Sequence, residues 1–118
     1  MNNARAILMQ ILAVIGSSQG TERIVDDFCT WIEVQVMTDL MQALPMDKQN
    51  QLIATFLALP QHEKESVFYP YYTGEYMRER LQDATKMAIA KHIVEPHSQE
   101  LSPAQRDTIL SLLDQLTC

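Results

Sequence analysis

Apolar residues recur at helical spacing through nearly the whole chain, and this spacing constrains the fold more than any other feature of the sequence. In the clearest stretch, which follows Thr21, an apolar side chain occupies every fourth position. Those positions are Ile24, Phe28, Ile32, Val36, Leu40 and Leu44. Side chains at i and i+4 share one helical face, whereas a half-buried strand would alternate apolar and polar residues. The stretch predicts a long helix, and no segment predicts a strand.

Prolines and capping residues divide the chain into about five helices. Pro45 and Pro60 interrupt the apolar pattern because proline cannot supply a backbone amide inside a helix. Thr73 is a typical N-cap, and the segment Ser102 to Gln105 has the pattern of a capping box with proline at the first helical position. Residues 61–69 predict one or two helical turns. The expected helices cover residues 3–15, 22–44, 47–59, 74–94 and the segment after Pro103. We expect Ile53 of the third helix to face inward, and Leu110 belongs to the apolar residues of the last helix.

The composition predicts a single folded domain over residues 1–118. Apolar residues make up 47% of the chain and charged residues 20%, so disorder is not expected. The net charge of −6 disfavours a protein that binds nucleic acid through its phosphates. The two cysteines, Cys29 and Cys118, are too few for a disulfide framework, so the sequence predicts a cytoplasmic protein.

A weak internal repeat relates two parts of the chain at an offset of 57 residues. Glu22, Arg23 and Asp26 match Glu79, Arg80 and Asp83, and three further identities follow. The alternative explanation is that amphipathic helices of similar length align through their periodicity alone. Either way, the pattern predicts two helical hairpins after an N-terminal helix, and neither hairpin could bury its apolar face alone.

Residues 6–15 form an apolar stretch that is too short to span a membrane. Its position after Arg5 and before Gly16 loosely resembles a signal peptide. We expect a buried N-terminal helix here, with a targeting segment or a contact with a membrane surface as the alternatives.

Patterns that would support catalysis or cofactor binding are weak. Residues 16–20 fit the pattern GxSxG, but a hydrolase elbow needs a parallel sheet that a helical chain cannot provide, and small residues are common in loops. A metal site at His92, Glu95 and His97 is an alternative, although no glutamate has a histidine three residues later, as di-iron bundles require. We therefore predict no catalytic residue, no metal and no cofactor.

Aromatic residues cluster at the junction between the two predicted hairpins, and they are the strongest candidates for a binding site. The candidates are Phe68, Tyr69, Tyr71, Tyr72 and Tyr76, together with Trp31 on the broad apolar surface of the second helix. Tyrosine combines apolar area with a hydroxyl group and is frequent at protein interfaces. The alternative is that these rings only fill the space between the hairpins.

These observations predict a small, non-catalytic protein-interaction module, such as an accessory subunit, an adaptor or a chaperone-like factor. Its partner would be another protein or a second copy of the chain, and a homo-oligomer is expected. One alternative is a helical regulator that binds nucleic acid through Arg78, Arg80, Lys86 and Lys91. A small metal-binding protein or enzyme is the other, and binding to membranes is not expected.

Overall fold

The computed structural model describes residues 3–16 and 21–117, apart from the side chains of Gln61 and Glu65. Helices account for 83% of the described residues, which contain no strand, so the predicted all-α bundle is confirmed. The α-helices are α1 (Ala4–Ile15), α2 (Thr21–Gln42), α3 (Met46–Ala58), α4 (Gly74–Ala88) and α5 (Pro103–Gln115). A 3₁₀ helix (Gln61–Phe68) joins α3 to α4, and a π-helical turn (Ile89–Val94) with a short 3₁₀ turn (Glu95–His97) follows α4.

The predicted helix starts agree with the hydrogen bonds of the backbone. The Thr73 hydroxyl accepts a bond of 3.1 Å from the Tyr76 amide. At α5 the Ser102 hydroxyl accepts from the Gln105 amide at 3.2 Å, and the Gln105 side chain accepts from the Ser102 amide at 2.8 Å. Pro45 immediately precedes α3. The capping box and both caps are therefore confirmed.

The fourth helix differs from its prediction in its last two turns. We expected one helix as far as Val94, but α4 ends at Ala88 and the chain widens into the π-helical turn. In this turn the Glu95 amide donates to the carbonyl of Ala90, five residues earlier. Pro96 follows directly and has no amide with which to continue the backbone hydrogen bonds, so the π-helical turn ends just before it.

Two apolar clusters form the core, and α2 runs through both. The proximal core contains Ala4, Ile7, Leu8, Ile11, Leu12, Val25, Ile89, Leu101, Ile109, Leu113 and Leu116. The distal core contains Ile32, Val36, Leu40, Leu52, Val67, Phe68 and Met77. Phe28 packs against both clusters and joins them.

The bundle is elongated, with extents of 50 × 25 × 24 Å and a radius of gyration of 16.5 Å. A compact domain of this length would have a radius of gyration of about 13.5 Å. The elongation follows from the packing of the helices, because α1 packs on α5 at the proximal core while α2 packs along α4. A chain of this shape leaves more helical surface without a neighbour than a compact bundle does.

The apolar residues of the N-terminal stretch lie in the proximal core. Ile7, Leu8, Ile11 and Leu12 are all buried, so the expected buried helix is what the structure contains at these positions. No described helix is long and apolar enough to cross a membrane. The 57-residue repeat stays a prediction.

Some residues that we expected to face inward are exposed. Ile24 is exposed while its neighbour Val25 is fully buried, because the buried face of α2 is rotated by one residue at its start. Leu110 of α5 is 60% exposed for a similar reason, since Ile109 and Leu113 already fill that side of the proximal core. Ile53 of α3 is 41% exposed, because it lines an open groove between α2 and α3.

Candidate protein-binding site

The structure separates the predicted aromatic cluster into buried and exposed rings. Phe68 is only 2% exposed and belongs to the distal core. Tyr71 and Tyr72 are half-buried against the same core. Tyr69 and Tyr76 are exposed. The junction is thus mainly filled by the rings. Tyr69 is 57% exposed and Tyr76 is 45% exposed, so these two rings are the most accessible of the five.

Tyr72 connects the segment before α4 to α2. Its hydroxyl donates a hydrogen bond of 2.7 Å to the Leu40 carbonyl, and its ring stacks on Tyr76 with 5.5 Å between the ring centroids. Burial raises the pKa of the Tyr72 hydroxyl, and the neighbouring Tyr76 raises it further, while Arg80 lowers it. The neutral hydroxyl is therefore the form that the folded chain favours.

This raised pKa predicts how stability changes in alkaline solution. Because the folded pKa of Tyr72 lies above its unfolded value near 10, its contribution is complete below that pH and is lost as the pH rises through the folded pKa. We expect the free energy of unfolding of Tyr72→Phe to fall less steeply than that of the wild type above about pH 10. Near neutral pH the variant should lose about 1 kcal/mol because the Leu40 carbonyl loses its donor. Urea denaturation at several pH values measures both effects, and parallel pH profiles would contradict this account of Tyr72.

Trp31 lies apart from the tyrosines. Its ring contacts Phe28, with centroids 5.8 Å apart, and meets the His92 ring edge-on at 5.3 Å. The contact joins α2 to the π-helical turn. Trp31 is exposed, so it remains a predicted contact residue on a different part of the surface.

A groove lies between α2 and α3, which we call the α2–α3 groove. It has a volume of about 210 Å³. It is lined by Val34, Met37, Thr38, Met41, Leu52, Ile53, Phe56 and Phe68. The only polar side chain among these residues is that of Thr38, whose hydroxyl already donates to the Val34 carbonyl at 2.8 Å. The groove is therefore suited to an apolar side chain.

The groove is open because little of α3 is buried. Leu52 alone among the residues of α3 is buried. Lys64 fixes the far end of the helix, since its ammonium group donates to the Phe56 carbonyl at 2.7 Å and lies 4.4 Å from the centroid of the Phe56 ring. Gln49 fixes the near end through a hydrogen bond of 2.7 Å to the Leu44 carbonyl. Held at both ends, α3 leaves part of its apolar surface uncovered.

The outward side of α3 carries no charge after its first turn, in which Asp47 and Lys48 are exposed. No aspartate, glutamate, lysine or arginine occurs between Lys48 and Glu63. The exposed residues in this stretch of α3 are Asn50, Gln51, Ile53, Ala54, Thr55, Leu57 and Ala58. Leu57 is 74% exposed, and Val34 on the opposite rim of the groove is 52% exposed. Surface helices normally carry charged residues on their solvent side, and α2, α4 and α5 do so here.

A second cavity, of about 270 Å³, is next to the groove. The two share the lining residues Met37, Phe56 and Phe68. Its polar lining residues are Glu33, His62 and Lys64. Lys64 is engaged with Phe56, as described above. The three side chains do not form the pairing of nucleophile and base, or of two carboxylates, on which hydrolytic sites depend.

The two histidines considered for a metal site make different contacts. His92 contacts Trp31, while His97 Nδ1 lies 3.5 Å from Glu100 Oε2. Among the described residues, no three histidine, cysteine, aspartate or glutamate side chains are grouped so that they could hold a metal ion. The GxSxG segment lies largely outside the described residues, as does Cys118.

The basic residues proposed for nucleic acid are distributed along α4 and the π-helical turn. Arg78, Arg80 and Lys91 are exposed and Lys86 is half-buried. The exposed acids Glu75, Glu79 and Asp83 alternate with them along α4. Binding of nucleic acid at this face stays an untested alternative.

The outward side of α3 was not among the predicted site residues. Ile53 was expected to face the core, and Leu57 was not a candidate. The available signal was the run of uncharged residues after Lys48, which an amphipathic surface helix would not normally have. Comparison with protein-family descriptions, curated proteins and solved structures found no match to the chain.

Proposed function

We propose that the chain is a small, non-catalytic protein-interaction module of the cytoplasm, and that it binds its partner through the α2–α3 groove and the outward side of α3. The observation that carries this proposal is the exposure of the apolar residues Ile53 and Leu57, on a stretch of α3 that has no charge after Lys48, beside an apolar groove. Large exposed apolar patches mark interaction sites, and the centres of interfaces are depleted in charge.

Binding at this face would follow the helix-in-groove mode. An apolar side chain of the partner would enter between Val34 and Ile53, where Thr38 has already satisfied its own hydroxyl. The partner's helix would then lie along α3 and remove Leu57 from water. Tyr69 and Tyr76 remain predicted additional contacts, because both are exposed near the same core.

Affinity capture with matched variants tests this proposal. We expect the tagged wild type to retain a protein partner from an extract of the cells that express it, whether that partner is another protein or its own untagged chain. Leu57→Asp should abolish retention because it places a charge in the apolar contact.

Leu110→Asp is the control, since Leu110 is an exposed leucine of α5 at the proximal core. This variant should retain the partner as the wild type does. A wild type that retains nothing, or two variants that behave alike, would contradict the proposal.

A further inference from the structure

The second cavity, next to the α2–α3 groove, reaches the distal core and has an apolar wall. Four of its lining residues are buried members of that core. They are Val36 and Leu40 of α2, Phe68 of the 3₁₀ helix and Met77 of α4. Met37 and Phe56 complete much of the wall, and both phenylalanine rings and methionine sulfur atoms pack well against a further aromatic ring. The volume of about 270 Å³ suits a molecule smaller than a typical drug.

Two opposite charges line this cavity from different elements. Glu33 lies on the face of α2 that borders the cavity, one turn before Val36 and Met37. Lys64 belongs to the 3₁₀ helix, and its contacts with the Phe56 carbonyl and ring hold its ammonium group at the cavity wall. That carbonyl occupies one of the three N–H groups of Lys64, so the other two can bind a further acceptor.

Neither of these charges takes part in an ion pair with another described side chain. Glu33 and Lys64 therefore border one cavity without neutralising each other. His62, the third polar lining residue, has a carboxylate neighbour of its own, because its Nε2 atom lies 3.8 Å from Glu63 Oε1. The cavity thus offers one carboxylate and one ammonium group, beside an apolar wall, to the molecule that fills it.

From these observations we infer that the cavity binds a free amino acid with an aromatic side chain. The ring of the ligand packs on the apolar wall, its carboxylate accepts from Lys64 and its ammonium group donates to Glu33. A fatty acid would bring a second negative charge near Glu33, and an apolar amine would bring a second positive charge near Lys64. A zwitterion complements both charges. The inference goes beyond the proposed function and does not depend on it, because the protein partner is expected at the groove and α3.

An NMR titration of the purified full chain with L-phenylalanine tests the inference. Two analogues isolate the charges, since phenylpropionate lacks the ammonium group and phenethylamine lacks the carboxylate. A ligand of this size should bind with a dissociation constant on the order of 0.1 to 1 mM. Each analogue should bind at least about 5-fold more weakly, because each loses a charge-assisted hydrogen bond.

Matched variants assign the two charges. Glu33→Gln should weaken L-phenylalanine by at least about 5-fold but leave phenylpropionate no weaker, since that analogue has no ammonium group for Glu33 to bind. Lys64→Gln, which keeps a donor for the Phe56 carbonyl, should weaken L-phenylalanine to a similar degree. Glu22→Gln is the control, because it removes the same charge from an exposed position at the start of α2 and should leave every affinity within about 2-fold. Circular dichroism would verify that each variant keeps the helix content of the wild type.

The absence of saturable shifts with L-phenylalanine up to about 10 mM would overturn the inference. So would an analogue that binds as tightly as L-phenylalanine, because the cavity would then take apolar molecules without regard to their charge. A Glu33→Gln variant that weakens all three ligands equally, or none of them, would also overturn it.

Discussion

Replacing Phe68 by alanine is expected to lower the free energy of unfolding by about 3 to 5 kcal/mol. The ring is 2% exposed and belongs to the distal core, where it also lines the α2–α3 groove. Its removal leaves a cavity that the helices held by Lys64 and Gln49 cannot easily close. Because a domain of this size is stable by only about 5 to 15 kcal/mol, urea denaturation at low temperature is the suitable measurement.

The same position also affects the proposed contact. Phe68→Leu removes part of the groove floor at a smaller cost in stability, so it can be studied while folded. We expect this variant to retain several-fold less partner in affinity capture, because α3 loses part of the surface that positions it. A Phe68→Ala variant as stable as the wild type would contradict the place of this ring in the core.

Replacing Ile11 by alanine is the second change with a large expected effect. Ile11 is fully buried in the proximal core, where α1 packs on α5. We expect a loss of about 2 to 5 kcal/mol in the free energy of unfolding, from lost burial and the cavity that remains. Urea denaturation measures this loss directly, alongside the Phe68 variants.

The two core positions together separate stability from association. Ile11→Ala should retain the partner to within about 2-fold of the wild type under conditions in which the variant is folded, since no residue of α3 belongs to the proximal core. Phe68→Leu should retain less partner although it costs less stability. If Ile11→Ala lowered the retention of the partner more than Phe68→Leu does, association would depend on global stability and not on the α2–α3 groove.

The helices and their ends could be predicted from the sequence because local rules determine them. Thr73 and the capping box at Ser102 act on amides only three residues away, and the interrupting prolines act on their own turn. The π-helical turn after Ala88 was not predicted, because the apolar spacing continues through it with little change. Its hydrogen bonds differ from those of an α-helix by a single residue.

The faces of the helices were harder to predict than the helices themselves. Apolar periodicity indicates which residues can be buried, but the neighbouring helices decide which of them are. Val25 is buried in place of Ile24, and Ile53 is 41% exposed because it lines the open α2–α3 groove. The aromatic cluster was also assigned as one site, whereas Phe68 is in the core and Tyr69 is on the surface.

The central claim is that another protein chain covers the outward side of α3, and photo-crosslinking measures this most directly. A benzophenone amino acid would replace Leu57 in one sample and Leu110 in another, and each protein would be illuminated in the cells that express it. The account predicts a crosslinked product heavier than one chain from position 57 and none from position 110. No product from position 57, or equal products from both positions, would contradict it.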